Sequence, residues 1–173
     1  MSTPESKEYW LSVYLRYMAR GDAYAAKIAL HLGPQLPRDG MEALLENRKD
    51  ELRHAKMVGE MAEQLAPGLR VSLDYPTRLG ELCLTGSPIW NAVMLNLDEW
   101  RGIYHLKVLG RKLRDLGQPD MYVGLCDMAK DEERHVRVGH ENIRRLGGVS
   151  PAMIHRASAI LRVVDAADPA VSV

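Results

Sequence analysis

The sequence predicts an all-α fold in which four long helices pack as a bundle and a short fifth helix follows. Apolar residues recur at intervals of three and four, as helical packing requires, and no segment alternates cleanly enough to be a strand. Hydroxyl residues precede proline at Thr3-Pro4, Ser87-Pro88 and Ser150-Pro151. Such a pair is typical of a helix start, because the hydroxyl caps free backbone N–H groups and proline fits the first helical position. The length of 173 residues suits a single domain with one sizeable core.

These starts, read together with glycine-containing stops, give five helices. They are predicted to cover residues 4–32, 39–65, 88–116, 119–146 and 151–165. The bundle then spans 4–147 within one domain of residues 1–173, and the tail 166–173 is expected to fray. Asp39 and Glu42 resemble a capping box at the start of the second helix. The stops that fit left-handed caps are Gly33-Pro34, Gly117 and Gly147-Gly148.

A long connection separates the two predicted helical hairpins. Residues 66–87 carry five residues that interrupt helices, namely Pro67, Gly68, Pro76, Gly80 and Gly86. A bundle needs a connection of this kind when its second and third helices run parallel to each other. The stretch from Tyr75 to Leu84 is predicted to add a short helical turn.

The charge balance gives no electrostatic reason to expect nucleic acid as a partner, because lysine plus arginine equals aspartate plus glutamate, 23 each. No stretch approaches about 18 uninterrupted apolar residues, so no transmembrane helix is expected. No secretory signal pattern follows the polar segment Met1 to Lys7. Cys83 and Cys126 form no C-x-x-C pair, which argues against a thiolate metal site. A reduced, cytoplasmic compartment is the simplest expectation.

An internal repeat carries the chemistry. The hexapeptide KDELRH at 49–54 reappears as KDEERH at 130–135, in both cases on the second helix of a predicted hairpin. Glutamate and histidine three residues apart share one helix face, so each pair can reach one metal ion. Carboxylate oxygen together with imidazole nitrogen suits iron, manganese or zinc and argues against calcium or copper(I).

Each first helix of a hairpin is expected to add one inward acid. Glu99 lies on a nearly all-apolar face, whereas its neighbour Asp98 shares a face with polar residues and is predicted to be solvated. On the first helix, Asp22 lies on a stripe of apolar and small residues, where an isolated acid is costly unless it is paired or binds metal. Asp22 precedes Glu51 by 29 residues and Glu99 precedes Glu132 by 33, and either gap returns the chain to the same level of a hairpin.

Two such hairpins face to face predict a two-metal site. Its six predicted ligands are Asp22, Glu51, His54, Glu99, Glu132 and His135. The weakest member is Asp22, whose short side chain leaves three possibilities: terminal binding to one metal, binding through water, or no binding. The polar residues that fall off the ligand faces are predicted to lie on the surface, namely His31, Glu60, His105, His140 and Glu141.

Residues beside the ligands have two interpretations each. Asp50 and Asp131 each precede a ligand glutamate. In one interpretation, each accepts the second ring N–H of a metal-bound histidine across the bundle. In the other, they form salt bridges with Arg53 or Arg134. Tyr24 and Tyr104 lie near the ligand level. They either support redox chemistry or serve as core or interface aromatics.

The Asp-Glu-x-Arg-His doublet, with an acid on each partner helix, resembles the ferritin-like superfamily of dimetal carboxylate proteins over helices 1 to 4. The resemblance implies two iron ions, or a manganese–iron pair, held by the predicted ligands, with O2 or peroxide as a reaction partner. Asp22 departs from the glutamate of the family. Bacterioferritins share the ligand order, but Leu52 stands where they carry the methionine that ligates haem, so no haem is expected. Rubrerythrins add paired C-x-x-C motifs that this sequence lacks.

The resemblance favours an O2-dependent oxidase or hydroxylase that acts on a small, apolar molecule. One alternative is a ferroxidase, an iron-handling protein or a rubrerythrin-like peroxide-reducing protein. Another is a non-catalytic helical interaction module, which would leave four carboxylates buried against only two histidines.

Two further surfaces suggest association. The third helix carries a second apolar stripe of Val93, Leu97, Trp100, Tyr104 and Val108. Packing under residues 66–87 or across a dimer interface would each explain this stripe, and a homodimer is the expectation. The fifth helix is amphipathic and is expected to dock on the end of the bundle, with a membrane-surface role as the alternative.

Overall fold

A computed structural model of the chain describes residues 6–73, 81, 84 and 86–167, and this part of the chain is all-α, as predicted. Its helices are α1 (Lys7–Leu32), α2 (Arg38–Leu65), α3 (Pro88–Asp115), α4 (Pro119–Arg145) and α5 (Pro151–Ala167), with a 3-10 turn at Gly33–Gln35. No strand occurs among the described residues. The short turn predicted for Tyr75 to Leu84 falls outside them apart from residues 81 and 84.

Serine hydroxyls begin three of the helices. The Oγ atoms of Ser87 and Ser150 each accept the backbone N–H three residues further on, at 3.3 Å in both cases, which confirms these two predicted starts. Helix α1 begins at Lys7 rather than at residue 4, because the Ser6 hydroxyl forms the corresponding bond at 3.1 Å and its backbone is extended. The pair Thr3-Pro4 lies outside the described residues.

The start of α2 differs from the prediction. Asp39 and Glu42 form no capping box, since the cap position is occupied by Pro37, without a side-chain hydrogen bond. The Asp39 carboxylate instead accepts a hydrogen bond of 2.5 Å from Arg145 on α4. Asp39 therefore joins α2 to α4. This role depends on which helix packs beside α2, so the local sequence does not predict it.

Glycine ends the helices in two ways. Gly117, Gly147 and Gly148 have φ of +74°, +97° and +78°, so the predicted left-handed conformation is confirmed after α3 and α4. Gly33 has φ of −50° and continues into the 3-10 turn, so the left-handed cap predicted there is wrong. Helix α5 continues to Ala167, two residues beyond its predicted end. Residues 168–173, the rest of the tail that was predicted to fray, lie outside the described part.

The long helices share two apolar clusters. Helices α1 and α2 pack along each other, as do α3 and α4, with smaller contacts between α2 and α4 and between α1 and α3. The first cluster contains Leu11, Leu15, Val58, Met61, Ala62, Leu65, Leu106, Leu109, Leu113, Met121, Leu125, Met128 and Ala129. The second contains Ala25, Ile28, Ala29, Leu32, Leu36, Leu44, Ala92, Val93, Met94, Leu95, Ala157 and Leu161, with Ile143 and Leu146 of α4 packed against it. Helices α1 and α4 run from the first cluster to the second, and α2 and α3 run the other way. On each long helix, the predicted metal ligands lie between the two apolar stretches.

Helix α5 packs on α3 at the second cluster. Ala157 and Leu161 are buried there, and the Arg156 guanidinium lies 5.5 Å from the centre of the Trp90 ring. Within the described residues, no helix has both the length and the apolar character needed to cross a membrane.

Candidate metal centre

A group of acids and histidines lies between the two apolar clusters. Glu51 and His54 on α2 and Glu132 and His135 on α4 are all buried, and the two histidines are almost inaccessible to solvent. The spacing of three residues places each glutamate one turn before its histidine on the same helix face. The repeat found in the sequence therefore brings two Glu-x-x-His pairs into one interior.

Four of the six predicted ligands form a compact group. Glu51, Glu99, Glu132 and His135 each offer one ligand atom, and these atoms lie within 4.8 Å of one another. The Nδ1 atom of His135 is 2.8 Å from Glu51 Oε1, 3.1 Å from Glu132 Oε2 and 3.6 Å from Glu99 Oε2. Two ligand atoms bonded at right angles to one metal at about 2.1 Å are about 3.0 Å apart. The group therefore has the spacing of ligands around a cation and could hold a metal ion.

His54 lies beside this group. Its Nδ1 atom is 3.2 Å from Glu132 Oε1, and its ring centre is 6.1 Å from that of His135. Both histidines thus turn Nδ1 towards the carboxylates. His54 approaches one carboxylate, whereas His135 approaches three.

Asp22 on α1 is, with His54, one of the two predicted ligands that the compact group does not include. Its Oδ2 atom is buried and has no hydrogen-bond partner. The pKa of this carboxyl is raised well above its ordinary value, first by burial and then by the negative charges of Glu51 and Glu132. Asp22 therefore interacts electrostatically with the centre, although its side chain is not among the four grouped ligands.

The centre holds more negative than positive charge in a buried environment. Burial and the charge of Glu132 raise the pKa of Glu51 to about 7, and the same two causes raise the pKa of Glu99 well above its ordinary value. Burial also opposes ionisation of Glu132, but its interactions with Glu99 and the two histidines hold its pKa well below the usual range. Burial alone would lower the pKa of His135, yet the surrounding carboxylates raise it to about 12. Without a cation, burial therefore favours the protonated form of Glu51 and Glu99.

Three buried polar atoms of the centre lack hydrogen bonds: Asp22 Oδ2, Glu51 Oε1 and His54 Nδ1. Glu51 Oε1 lies 2.8 Å from His135 Nδ1, and His54 Nδ1 lies 3.2 Å from Glu132 Oε1. Neither pair has the alignment that a hydrogen bond needs. Leaving a buried polar atom unpaired costs about 1–3 kcal/mol. Since all three atoms belong to predicted ligands, a bound cation is the partner that fits them.

An outer pair of acids crosses between α2 and α4. The His54 Nε2 atom lies 3.2 Å from Asp131 Oδ2, and the His135 Nε2 atom lies 3.6 Å from Asp50 Oδ2. Each aspartate therefore faces the histidine of the opposite hairpin, and the contact of Asp131 is within hydrogen-bond distance. Such partners fix the ring orientation of a histidine ligand.

The same two aspartates also pair with arginine, as the second interpretation predicted. Arg53 donates to Asp50 Oδ1 at 2.9 Å and to Asp131 Oδ2 at 2.7 Å, while Arg134 donates to Asp50 Oδ2. Burial opposes their ionisation, but these hydrogen bonds lower the pKa of both aspartates. Arg134 also donates to the buried Asn47 at 2.9 Å, a contact that the sequence interpretation missed. The sequence feature that could have indicated this contact is the position of Asn47, one turn before Asp50 on the helix that carries Glu51 and His54.

The two predicted tyrosines do not join the grouped ligands. Tyr24 is buried, with Lys27 Nζ 4.6 Å from its ring centre. Tyr104 is 67% exposed on α3.

One predicted surface residue is instead part of an internal contact. His105 is half-buried, its Nδ1 atom forms a hydrogen bond with the Tyr14 hydroxyl, and the two rings stack with centres 5.7 Å apart. The prediction that His105 is a surface residue is therefore wrong, because helix α1 covers this face of α3.

Comparisons of the chain with protein-family models, with curated proteins and with solved structures find no match. The interpretation of the centre therefore rests on the repeated motif and on the geometry of the side chains. Together these establish an all-helical chain with a buried Glu-Glu-Glu-His group that could hold a metal ion.

Proposed function

We propose that the chain is a ferritin-like four-helix bundle that holds two iron ions, or a manganese–iron pair, and acts as an O2-dependent oxidase or hydroxylase on a small molecule. The observation that carries the proposal is the buried group of Glu51, Glu99, Glu132 and His135. It holds one complete Glu-x-x-His pair and the glutamate of the other, and His54 lies beside it. Paired Glu-x-x-His motifs joined by a glutamate from each remaining helix are the ligand arrangement of dimetal carboxylate bundles. Here the fourth acid is Asp22.

The ligands divide naturally between two ions. Glu51 with His54 would hold one ion, Glu132 with His135 would hold the other, and Glu99 would complete the set from α3. Asp22 offers its unpaired Oδ2 from α1. When bound, such a pair supplies the electrons that reduce O2 or peroxide.

The remaining residues prepare the centre for this chemistry. Asp131 orients the ring of His54 through Nε2, which leaves Nδ1 facing the carboxylates. The carboxyls of Glu51 and Glu99, whose pKa values are raised, release their protons when a cation binds. The two flanking apolar clusters limit water around the centre and strengthen its electrostatic interactions.

Metal analysis tests the proposal most directly. After reconstitution with ferrous iron, the wild-type chain is expected to carry about two metal equivalents, and the Glu132→Ala, His135→Ala double variant is expected to lose them. A matched control is the Glu133→Ala, His140→Ala double variant, which changes two exposed residues of the same helix and should keep the metal.

Activity then separates the classes of function. Oxygen uptake that increases with an organic substrate supports an oxidase or hydroxylase, whereas peroxide removal or iron oxidation alone supports a peroxide-reducing or iron-handling protein. A wild-type chain that binds no metal would reject the enzyme proposal and leave a helical interaction module.

A further inference from the structure

A cleft of 360 Å³ lies between the first half of α1 and the second half of α3. Its lining residues are Lys7, Trp10, Leu11, Tyr14, Tyr104, His105, Val108, Leu109, Lys112, Asp115 and Leu116. We call it the α1–α3 cleft. Clefts that bind small molecules have volumes of about 300–1,000 Å³ and mostly apolar walls. The α1–α3 cleft therefore has the size of a binding site for a small ligand, and none of the metal ligands lines it.

The middle of the cleft is apolar. Trp10, Leu11 and Val108 contribute ring and aliphatic surface, and Leu109 belongs to the first apolar cluster. The polar atoms of the Tyr14 and His105 side chains bond to each other within this wall. A wall of this kind favours the hydrocarbon body of a ligand, because burial of apolar surface stabilises a complex by about 25 cal/mol per Å².

The two ends of the cleft differ in charge. Lys7 and Lys112 contribute two ammonium groups at the end farther from the metal centre, where Asp115 contributes one carboxylate. A negatively charged head group is therefore favoured at this end.

The other end of the cleft points towards the metal centre. His105 follows Glu99 by six residues, which is about 9 Å along a helix at about 1.5 Å per residue. Gly102 lies between them, and a Cβ atom added there would meet nothing within 4 Å, so the space beside it is open.

We propose that the α1–α3 cleft binds an amphipathic monocarboxylate of the medium-chain fatty-acid type. Its hydrocarbon chain lies against Trp10 and Val108, and its carboxylate meets Lys7. The far end of the chain then points along α3 towards Gly102 and the metal ligands. Binding rests on the cleft alone, whereas the identification of this molecule as the substrate rests on the proposed function.

Calorimetric titration of the full-length, metal-free chain with dodecanoate below its micelle concentration tests the proposal. Saturable binding of one molecule per chain is expected. The Val108→Trp variant fills the cleft and should abolish the binding, whereas Val123→Trp, the same change at an exposed position of α4, should leave it unchanged. The Lys7→Glu variant should weaken it about tenfold, and dodecyltrimethylammonium should bind at least about tenfold more weakly than dodecanoate. Circular dichroism confirms that each variant is folded.

Several results would overturn the proposal. Equal loss of binding in the Val108→Trp and Val123→Trp variants would remove the cleft as the site. Equal affinity for the cationic detergent would remove the carboxylate preference. Absence of dodecanoate binding, together with a lower oligomeric mass of Val108→Trp in light scattering, would assign the cleft to a second copy of the chain. Intact binding in a chain that takes up no metal would contradict the proposed function while supporting the ligand site.

Discussion

The first hairpin, α1 with α2, and the second hairpin, α3 with α4, carry nearly the same ligand motif but contribute to the centre unequally. Three of the four grouped ligands, Glu99, Glu132 and His135, come from the second hairpin, and only Glu51 comes from the first. The two histidines differ in the same sense, since the Nδ1 atom of His135 approaches three carboxylates and the Nδ1 atom of His54 approaches one.

The acid of the partner helix accounts for part of this difference. The second hairpin supplies Glu99, whose carboxylate reaches the group, whereas the first supplies Asp22, which is one methylene shorter and keeps an unpaired oxygen. The repeat therefore determines which side chains face inward. The length of the acid on the partner helix, Asp22 or Glu99, determines how close the ligands of each half of the centre lie to one another. For the proposed two-metal centre, we infer that the half built on the second hairpin would bind its ion more tightly.

The largest expected effect comes from Glu99. Glu99→Gln keeps the size of the side chain but removes a carboxylate ligand, so the affinity for ferrous iron should fall by about 100-fold or more, whereas Asp22→Asn should reduce it by about tenfold. Metal titration followed by absorption or calorimetry measures both values. If Asp22→Asn proved the more damaging, the inferred order of the two halves would be reversed.

Two further variants test this result, one as a control and one as an expected gain of affinity. Asp98→Asn changes the neighbouring acid, which pairs with Arg101 at 2.8 Å, and should leave metal affinity unchanged. Asp22→Glu supplies the missing methylene and should raise the affinity of the weaker half towards that of the stronger one.

A smaller effect is expected from the aspartates that cross between the hairpins. Asp131→Asn should weaken metal binding by about tenfold, because it removes the charged partner of His54 Nε2 at 3.2 Å. Asp50→Asn should cost less, since its distance from His135 Nε2 is 3.6 Å. The control is Asp127→Asn on α4, whose exposed carboxylate pairs with Lys130. Equal metal affinity in all three variants would show that the crossing contacts do not support the ligands.

The smallest expected effect is a pH dependence of stability that arises from Glu51, the grouped ligand of the first hairpin. Since the pKa of Glu51 is raised from 4.5 to about 7 in the folded chain, its contribution to stability is fully present below pH 4.5 and is lost as the pH rises to about 7. The unfolding temperature of the metal-free chain should therefore fall over this window, and Glu51→Gln should flatten the fall.

Glu60→Gln, an exposed change on the same helix, serves as the control for this prediction. The pKa of Glu99 is raised as well, so its own contribution to stability is also lost as the pH rises. A metal-free chain whose unfolding temperature rises between pH 4.5 and about 7 would contradict the assignment.

Much of the fold could be predicted from features that act locally. Ser87 and Ser150 begin helices through bonds to the backbone three residues on, and Gly117 ends one through its positive φ. The inward direction of Glu99 follows from helical periodicity, since every residue on its face is close in sequence. Such signals need no knowledge of the neighbouring helix.

The mistaken predictions concern contacts between helices. Asp39 has the sequence of a helix cap but bonds to Arg145, which is 106 residues away. His105 has the sequence of a surface residue but meets Tyr14 on another helix. Periodicity identifies the face of a helix, but it does not identify which residue of another helix lies opposite.

The crossed contacts between His54 and Asp131 and between His135 and Asp50 have a consequence for assembly. Each contact that orients a ligand also joins α2 to α4, so the free energy that draws the hairpins together and the free energy that captures a cation are linked. Linkage is reciprocal. If the proposed ions are bound, a substitution that loosens the hairpin interface far from any ligand should weaken metal retention, and removal of the metal should weaken the packing between the two hairpins.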